Sequence, residues 1–200
     1  MKKLLLAILF FCMSACAGFT IAIQPFGFFD QKLIDSLIPH LETRFKGVSI
    51  EVLPPKEIPA CTFYKPRNRY RAELILDYLD STTSMKYQRV IGLLQKDIST
   101  TKGEHYDWGI FGLGRFYGFS CVVSTFRMQK NVSKEELLQR LKKVAVHEIG
   151  HTFGLDHCSW PNCVMTDYKG TIKSLDQSGF RFCNRCFTRV NDLLTKYGCR

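Results

Sequence analysis

The chain has 200 residues, 46% of them apolar, and a formal charge of +10. That length and apolar share exclude a disordered polypeptide and set one compact domain, divided at most into two lobes, as the expectation. There is no internal repeat and no low-complexity stretch, which excludes solenoid and fibrous classes.

The first segment reads as a leader for export. Lys2 and Lys3 precede an uncharged run from Leu4 to Met13, followed by the small residues Ser14-Ala15-Cys16-Ala17-Gly18. This is the basic, apolar, small-residue order of a secretory signal peptide. Ala15-Cys16-Ala17 fits the pattern for ordinary secretion. Met13-Ser14-Ala15-Cys16 resembles a lipobox, and this is the preferred reading: residues 1–15 are removed and Cys16 carries the lipid. An uncleaved anchor from Leu4 to Ile23 is disfavoured, because Gly18 and Thr20 interrupt it and Phe19–Ile23 makes a better strand. The expected location is periplasmic or membrane-anchored through Cys16, with secretion as the alternative.

The charge becomes +8 once Lys2 and Lys3 are gone (10 − 2). The remaining cations are scattered, as in Arg67, Arg69 and Arg71, Lys142 and Lys143, and Arg181, Arg185 and Arg189. They read as a solvated basic surface, and with an export leader nucleic acid is not an expected partner.

After the Phe19–Ile23 strand, Asp30–Phe45 repeats Leu33, Leu37 and Leu41 at helical spacing, with Pro39 expected to kink or end it. Val48–Leu53 reads as a second strand, stopped by Pro54 and Pro55. Arg69–Leu79 is helical in pattern, Arg89–Leu94 is strand-like, and Trp108–Arg127 suggests one or two strands. Strand and helix in alternation favour a sheet with crossover helices. Ser133 and Glu136 form a capping box, Ser-x-x-Glu, so a helix is expected over Lys134–Thr152, ended at Gly154. A last helix is expected over about Phe187–Tyr197.

The stretch from Val146 to Met165 holds three of the five histidines. His147 and His151 are four residues apart on a helix, so both rings leave one face and can grip one zinc ion. Glu148 between them is placed to reach a water on the metal. Gly154 lets the chain turn, and His157 returns as a third ligand. Three protein ligands leave the fourth position open, as catalytic zinc requires. A lone HExxH is weak, but the five fixed residues of HExxHxxGxxH arise by chance on the order of once in 100,000 such chains.

Four of the nine cysteines form two close pairs, Cys158/Cys163 and Cys183/Cys186. Four thiolates complete a tetrahedral zinc and leave no open site, the structural arrangement. The first pair starts directly after His157, so this second zinc would staple the loop that carries the third histidine. Disulfides are the rival reading in an exported protein.

Taken together, His147-Glu148-x-x-His151-x-x-Gly154-x-x-His157-Cys158-x4-Cys163-x-Met165-x17-Cys183-x-x-Cys186 resembles the signature of the archaemetzincins in every spacing. Further stretches similar in character, such as "IGLLQKDIS" and "SLDQSGFRFCNRC", extend the resemblance over nearly everything after the leader. It implies an α+β, zincin-like (metzincin) fold. A twisted mixed sheet with helices forms an upper lobe of about 18–154, above an active-site helix and a small zinc-stapled lower lobe of about 155–200. Both belong to one catalytic domain over 16–200. It also implies His147, His151 and His157 as catalytic-zinc ligands, Glu148 as general base, Cys158, Cys163, Cys183 and Cys186 on a structural zinc, and Met165 as the Met-turn. The leader departs from the many family members that look cytosolic.

The expected activity is a zinc metallopeptidase acting on peptides or proteins, with two zinc ions and a monomeric chain. The substrate is expected to lie against an edge strand within Phe116–Phe126. Tyr168, near the Met-turn, is a candidate oxyanion donor, against a plain packed tyrosine. The alternatives are a zinc-stabilised binding module and a weakly active scaffold that binds peptides or other anionic partners.

Overall fold

A computed structural model describes residues 18–199. The leader and Cys16 lie outside them. Strand β1 (Phe19–Pro25) is followed by helix α1 (Gln31–Arg44), strand β2 (Val48–Val52), and short strands β3 (Phe63–Tyr64) and β4 (Arg69–Arg71). Helix α2 (Ala72–Thr82) leads to β5 (Arg89–Leu94), the hairpin β6 (Ile98–Lys102) and β7 (His105–Ile110), then β8 (Gly112–Gly114) and β9 (Ser120–Ser124). Three helices complete the chain: α3 (Lys134–Thr152), α4 (Ile172–Gln177) and α5 (Asn184–Lys196).

The main sheet has the order β2-β1-β5-β9-β8. Its first four strands are parallel, and β8 adds antiparallel to β9 at one edge. The inner parallel strands β1, β5 and β9 are buried almost throughout because helices cover both faces, whereas the edge strand β2 alternates buried or half-buried residues with exposed ones. Alternate residues divide between those faces. Ile21, Ile23, Ile91, Leu93, Cys121 and Val123 meet α1 and α3. Ala22, Val90, Leu94 and Val122 meet Ala72, Ile75, Leu76 and Leu79 of α2. A second sheet, β3-β4-β6-β7, is smaller and more polar.

Three sequence expectations change. Helix α1 does not end at Pro39 but continues to Arg44; the missing N–H leaves only the carbonyl of the exposed Asp35 to solvent, while Leu33, Ile34, Leu37 and Leu41 hold both halves in the core. The segment from Arg69 starts as strand, since Tyr70 and Arg71 pair with Ile98 and Ser99, and turns helical only at Ala72. The β9 strand inside Phe116–Phe126 is interior, paired with β5 and β8; the edge is β8.

Helix α3 begins at the expected box: Ser133 Oγ accepts from Glu136 N at 3.2 Å, and Glu136 Oε2 accepts from Ser133 N at 2.9 Å. From Val144 to Gly150 every residue is buried, so the helix enters the molecule and carries its HExxH turns inside. One core then continues past Gly154, through Leu175, Val190 and Leu194. Among the described residues no helix is long and apolar enough to cross a membrane.

Candidate metal centre

Helix α3 presents His147 and His151 to one cleft, and the turn at Gly154 returns His157 beside them. Gly154 has φ +74°, and a Cβ there would also fall 2.1 Å from the Tyr117 ring, so two constraints demand glycine. The three imidazoles offer nitrogens within 4.8 Å of one another.

Hydrogen bonds settle the tautomers. His147 Nδ1 lies 2.8 Å from the Val164 carbonyl, and His151 Nδ1 lies 2.7 Å from the Leu155 carbonyl. Each Nδ1 must donate, which leaves both Nε2 atoms as acceptors. Those two Nε2 atoms face each other at 3.0 Å. Two lone pairs at that distance repel unless a cation lies between them. A tetrahedral zinc with ordinary Zn–N bonds sets its ligand nitrogens about 3.3 Å apart, close to the separation found. Burial, and for His147 the neighbouring His151, lower the proton affinity of both rings, keeping them neutral as ligands must be.

Glu148 is also buried, and its carboxyl faces β8. Burial raises its pKa to about 8, against the opposing hydrogen bond from the Gly114 backbone N–H. The strand comes this close because it carries glycines: a Cβ at Gly112 would lie 2.6 Å from Glu148 Cγ, and one at Gly114 would lie 2.4 Å from the Glu148 carbonyl. The cleft, about 460 Å³, is lined by Trp108, Gly112, Phe116, the three histidines and Glu148.

Beneath the histidines lies Met165, fully buried. A Cβ on Gly150 would fall 2.5 Å from its sulfur, so Gly150 is the seat of the turn. The Met165 carbonyl accepts from Cys158 N at 2.8 Å, tying the turn to the segment after His157. Tyr168 stacks near His147, ring centroids 4.4 Å apart. Its hydroxyl is 3.1 Å from the Val164 carbonyl, the one that holds His147, and 3.3 Å from the Lys143 carbonyl. The candidate oxyanion donor is therefore committed to backbone carbonyls and braces His147 from below.

Cys158, Cys163, Cys183 and Cys186 cluster with their sulfurs within 4.8 Å of one another. All four are free thiols, and the Cys158–Cys183 sulfur separation is 3.7 Å. That is far from a disulfide bond and matches the edge of a tetrahedral zinc–thiolate site, about 3.8 Å. Cys183 caps α5 and Cys186 lies in its first turn, where unpaired backbone N–H groups favour thiolate. Burial raises the Cys183 thiol, yet hydrogen bonds from Cys186, Cys158 and Cys163 bring it down to about 7. Arg185 adds its guanidinium 3.6 Å from the Cys158 sulfur.

The sequence pattern that defines peptidase family M54 matches residues 13–192. The chain belongs to peptidase family M54. It is 32% identical to the archaemetzincin of Methanopyrus kandleri over 154 residues, which cover 77% of this chain and 83% of that one. The crystal structure of an archaemetzincin from the same organism superposes with a TM-score of 0.76 at 29% identity, covering 92% of this chain and 97% of that one. The archaemetzincin of Archaeoglobus fulgidus, solved with malonate, gives 0.72 at 29% identity over 85% and 99%. This M54 member therefore has the zincin-like α+β fold and is a zinc metallopeptidase. Pattern reading missed Gly112, Gly114 and Gly150, whose only sequence signal is a small residue where the chain and the HExxH helix crowd together. Cys61, Cys121 and Cys199 are free and belong to neither cluster.

Proposed function

We propose that the chain hydrolyses peptide bonds with one catalytic and one structural zinc. The observation that carries this is the pair of acceptor nitrogens on His147 and His151, held 3.0 Å apart by backbone carbonyls. His147, His151 and His157 would hold the catalytic ion, and the four cysteines the structural one. The bound catalytic ion supplies positive charge that acidifies water and polarises a carbonyl.

The chain's own groups do the rest. The free edge of β8 accepts the peptide as an added strand, and the glycines keep that strand close to Glu148. Glu148 takes the proton from the attacking water and returns it to the departing amine. Its burial raises its proton affinity above that of a free carboxylate, which suits a group that both takes and gives a proton. His147 stays oriented through Val164 and Tyr168.

The binding-module alternative is not favoured, because a binding site has no use for a carboxyl buried against the metal pocket. Glu148→Gln keeps the shape and removes the base. It should retain both zinc ions and lose at least about a hundredfold in peptide cleavage, the scale for a general base. Cleavage of a peptide library at the wild-type rate by Glu148→Gln would refute the mechanism. The leader's character supports export with lipid on Cys16; the N-terminal mass of the purified protein checks this, and an unmodified Met1 or Gly18 terminus rejects it.

A further inference from the structure

The cleft is closed at one end. The β6–β7 hairpin lines it there with Thr100, Thr101, Lys102 and Trp108. Trp108 meets the loop beyond the Met-turn: a Cβ built on Gly170 would lie 3.5 Å from the indole nitrogen. Gly170 carries no Cβ, so its Cα lies at most about 5 Å from that nitrogen, a gap no wider than the spacing of two paired strands and too narrow to admit an extended chain.

This closure is a wall rather than a lid, because its base is pinned by half-buried ion pairs. Arg69 bonds Asp97 at 2.8 Å and Asp107 at 2.6 Å, and Arg127 bonds both oxygens of Asp97 at 2.6 and 2.9 Å. Arg127 lies so close to the hairpin that a Cβ on Gly109 would overlap its guanidinium. Arg71 reaches Thr101 Oγ1 at 2.7 Å and the Tyr106 carbonyl. Glu73 accepts from Thr100 Oγ1 at 2.5 Å and from Thr101 N at 2.8 Å. Lifting the hairpin breaks these bonds together and leaves several charges unpaired.

The strand direction says which end of a peptide meets the wall. Along β8, Gly112 lies beside the Glu148 carboxyl and Gly114 beside His151. Trp108 precedes them and Phe116 follows. Antiparallel pairing is the stronger mode for a short added strand, and it sends the carboxyl end of the peptide toward Trp108. Among the described residues Lys102 is the only lysine or arginine lining the cleft, with Nζ 5.1 Å from the Trp108 ring centre. Besides Glu148, the acidic residues that line the cleft are Asp156 and Asp167, which adjoin His157 and Tyr168, and Asp167 is engaged by the Lys169 N–H at 2.8 Å.

We propose that the cleft is that of a carboxy-terminal exopeptidase: Lys102 receives the free α-carboxylate of the peptide, and the narrow gap between Trp108 and Gly170 limits the released piece to a short C-terminal fragment. Water adds across the scissile bond, leaving a new carboxylate on the long piece and a new amine on the fragment. The inference rests on the metallopeptidase reading.

The test uses peptide pairs of one sequence, ending either in a free acid or in an amide. Zinc-loaded wild-type protein should cleave the acid with kcat/KM at least about tenfold above the amide, the scale of a lost charge-assisted hydrogen bond. Mass spectrometry should show short C-terminal fragments. Lys102→Ala should bring the ratio near one, Lys102→Arg should restore it, and Trp108→Ala should admit internal cuts. Equal rates on acid and amide, or mainly internal cuts by wild type, overturn the proposal. Cleavage that ignores Glu148→Gln overturns the peptidase reading instead. If no peptide is cut, calorimetry of the same pairs on zinc-loaded Glu148→Gln decides: tighter binding of the acid supports Lys102 as the receptor, and equal affinity overturns it.

Discussion

At the scale of single residues, Glu148 shows how the proposed catalytic position costs stability. Burial raises its pKa from 4.5 to about 8. The folded chain then binds a proton that the unfolded chain has released, so stability falls as pH rises between those two values. Glu148→Gln removes that slope. In chelated protein, the variant should match wild type near pH 4.5 and exceed it by about 4 kcal/mol near pH 8, since each tenfold change in proton affinity is worth about 1.4 kcal/mol. Thermal melts of both proteins across that range measure the difference, and parallel pH profiles would sink the account. The three histidines and Glu148 were legible from spacing alone, because a helix repeats its faces at fixed intervals. The bracing of His147 by Tyr168 was not, since it depends on a carbonyl that two distant side chains share.

At the scale of elements, the contact between α3 and the Met-turn is the joint that shapes the centre. Gly150 leaves room for the Met165 sulfur, and Met165 in turn anchors Cys158 by its backbone carbonyl. Gly150→Ala improves helix propensity, yet it should cost about 2 kcal/mol or more by overpacking this joint. The same variant should bind zinc more weakly at the histidines, because the loop that carries His157 moves with Cys158. Urea unfolding and a zinc titration read the two effects separately; a variant more stable than wild type would show that the joint is loose. The α3 helix was readable to its ends because its cap, its stripe and its terminating glycine agree. The β6–β7 hairpin was not, since its residues are mostly polar and their partners are Arg69, Arg71, Glu73 and Arg127, far away in sequence.

For the whole molecule, one core joins the sheet, α3 and the segment after Gly154. The two proposed metal sites should therefore differ in what their loss does. A chelator should strip the histidine site first, because its open coordination position admits attack. That step should end activity and leave the far-UV circular dichroism unchanged. Loss of metal from the four cysteines should come later and unfold the chain cooperatively, since Val190 and Leu194 of α5 pack in the shared core while Cys183 and Cys186 hold its first turn. Zinc release followed beside the dichroism checks this, and a single step for both ions contradicts it.

The two clusters of candidate metal-ligating side chains, the helix that carries His147, Glu148 and His151, and the alternation of strand and helix were legible in the sequence alone, because each rests on short-range spacing and on apolar period. Which strand forms the edge, which glycines admit the helix, and how the hairpin closes one end of the cleft were decided only by the tertiary structure. Each of these depends on backbones and charges that meet across long separations, and no local pattern encodes such a meeting: Arg69 finds Asp107, and Trp108 finds Gly170, only when the sheets and helices have packed.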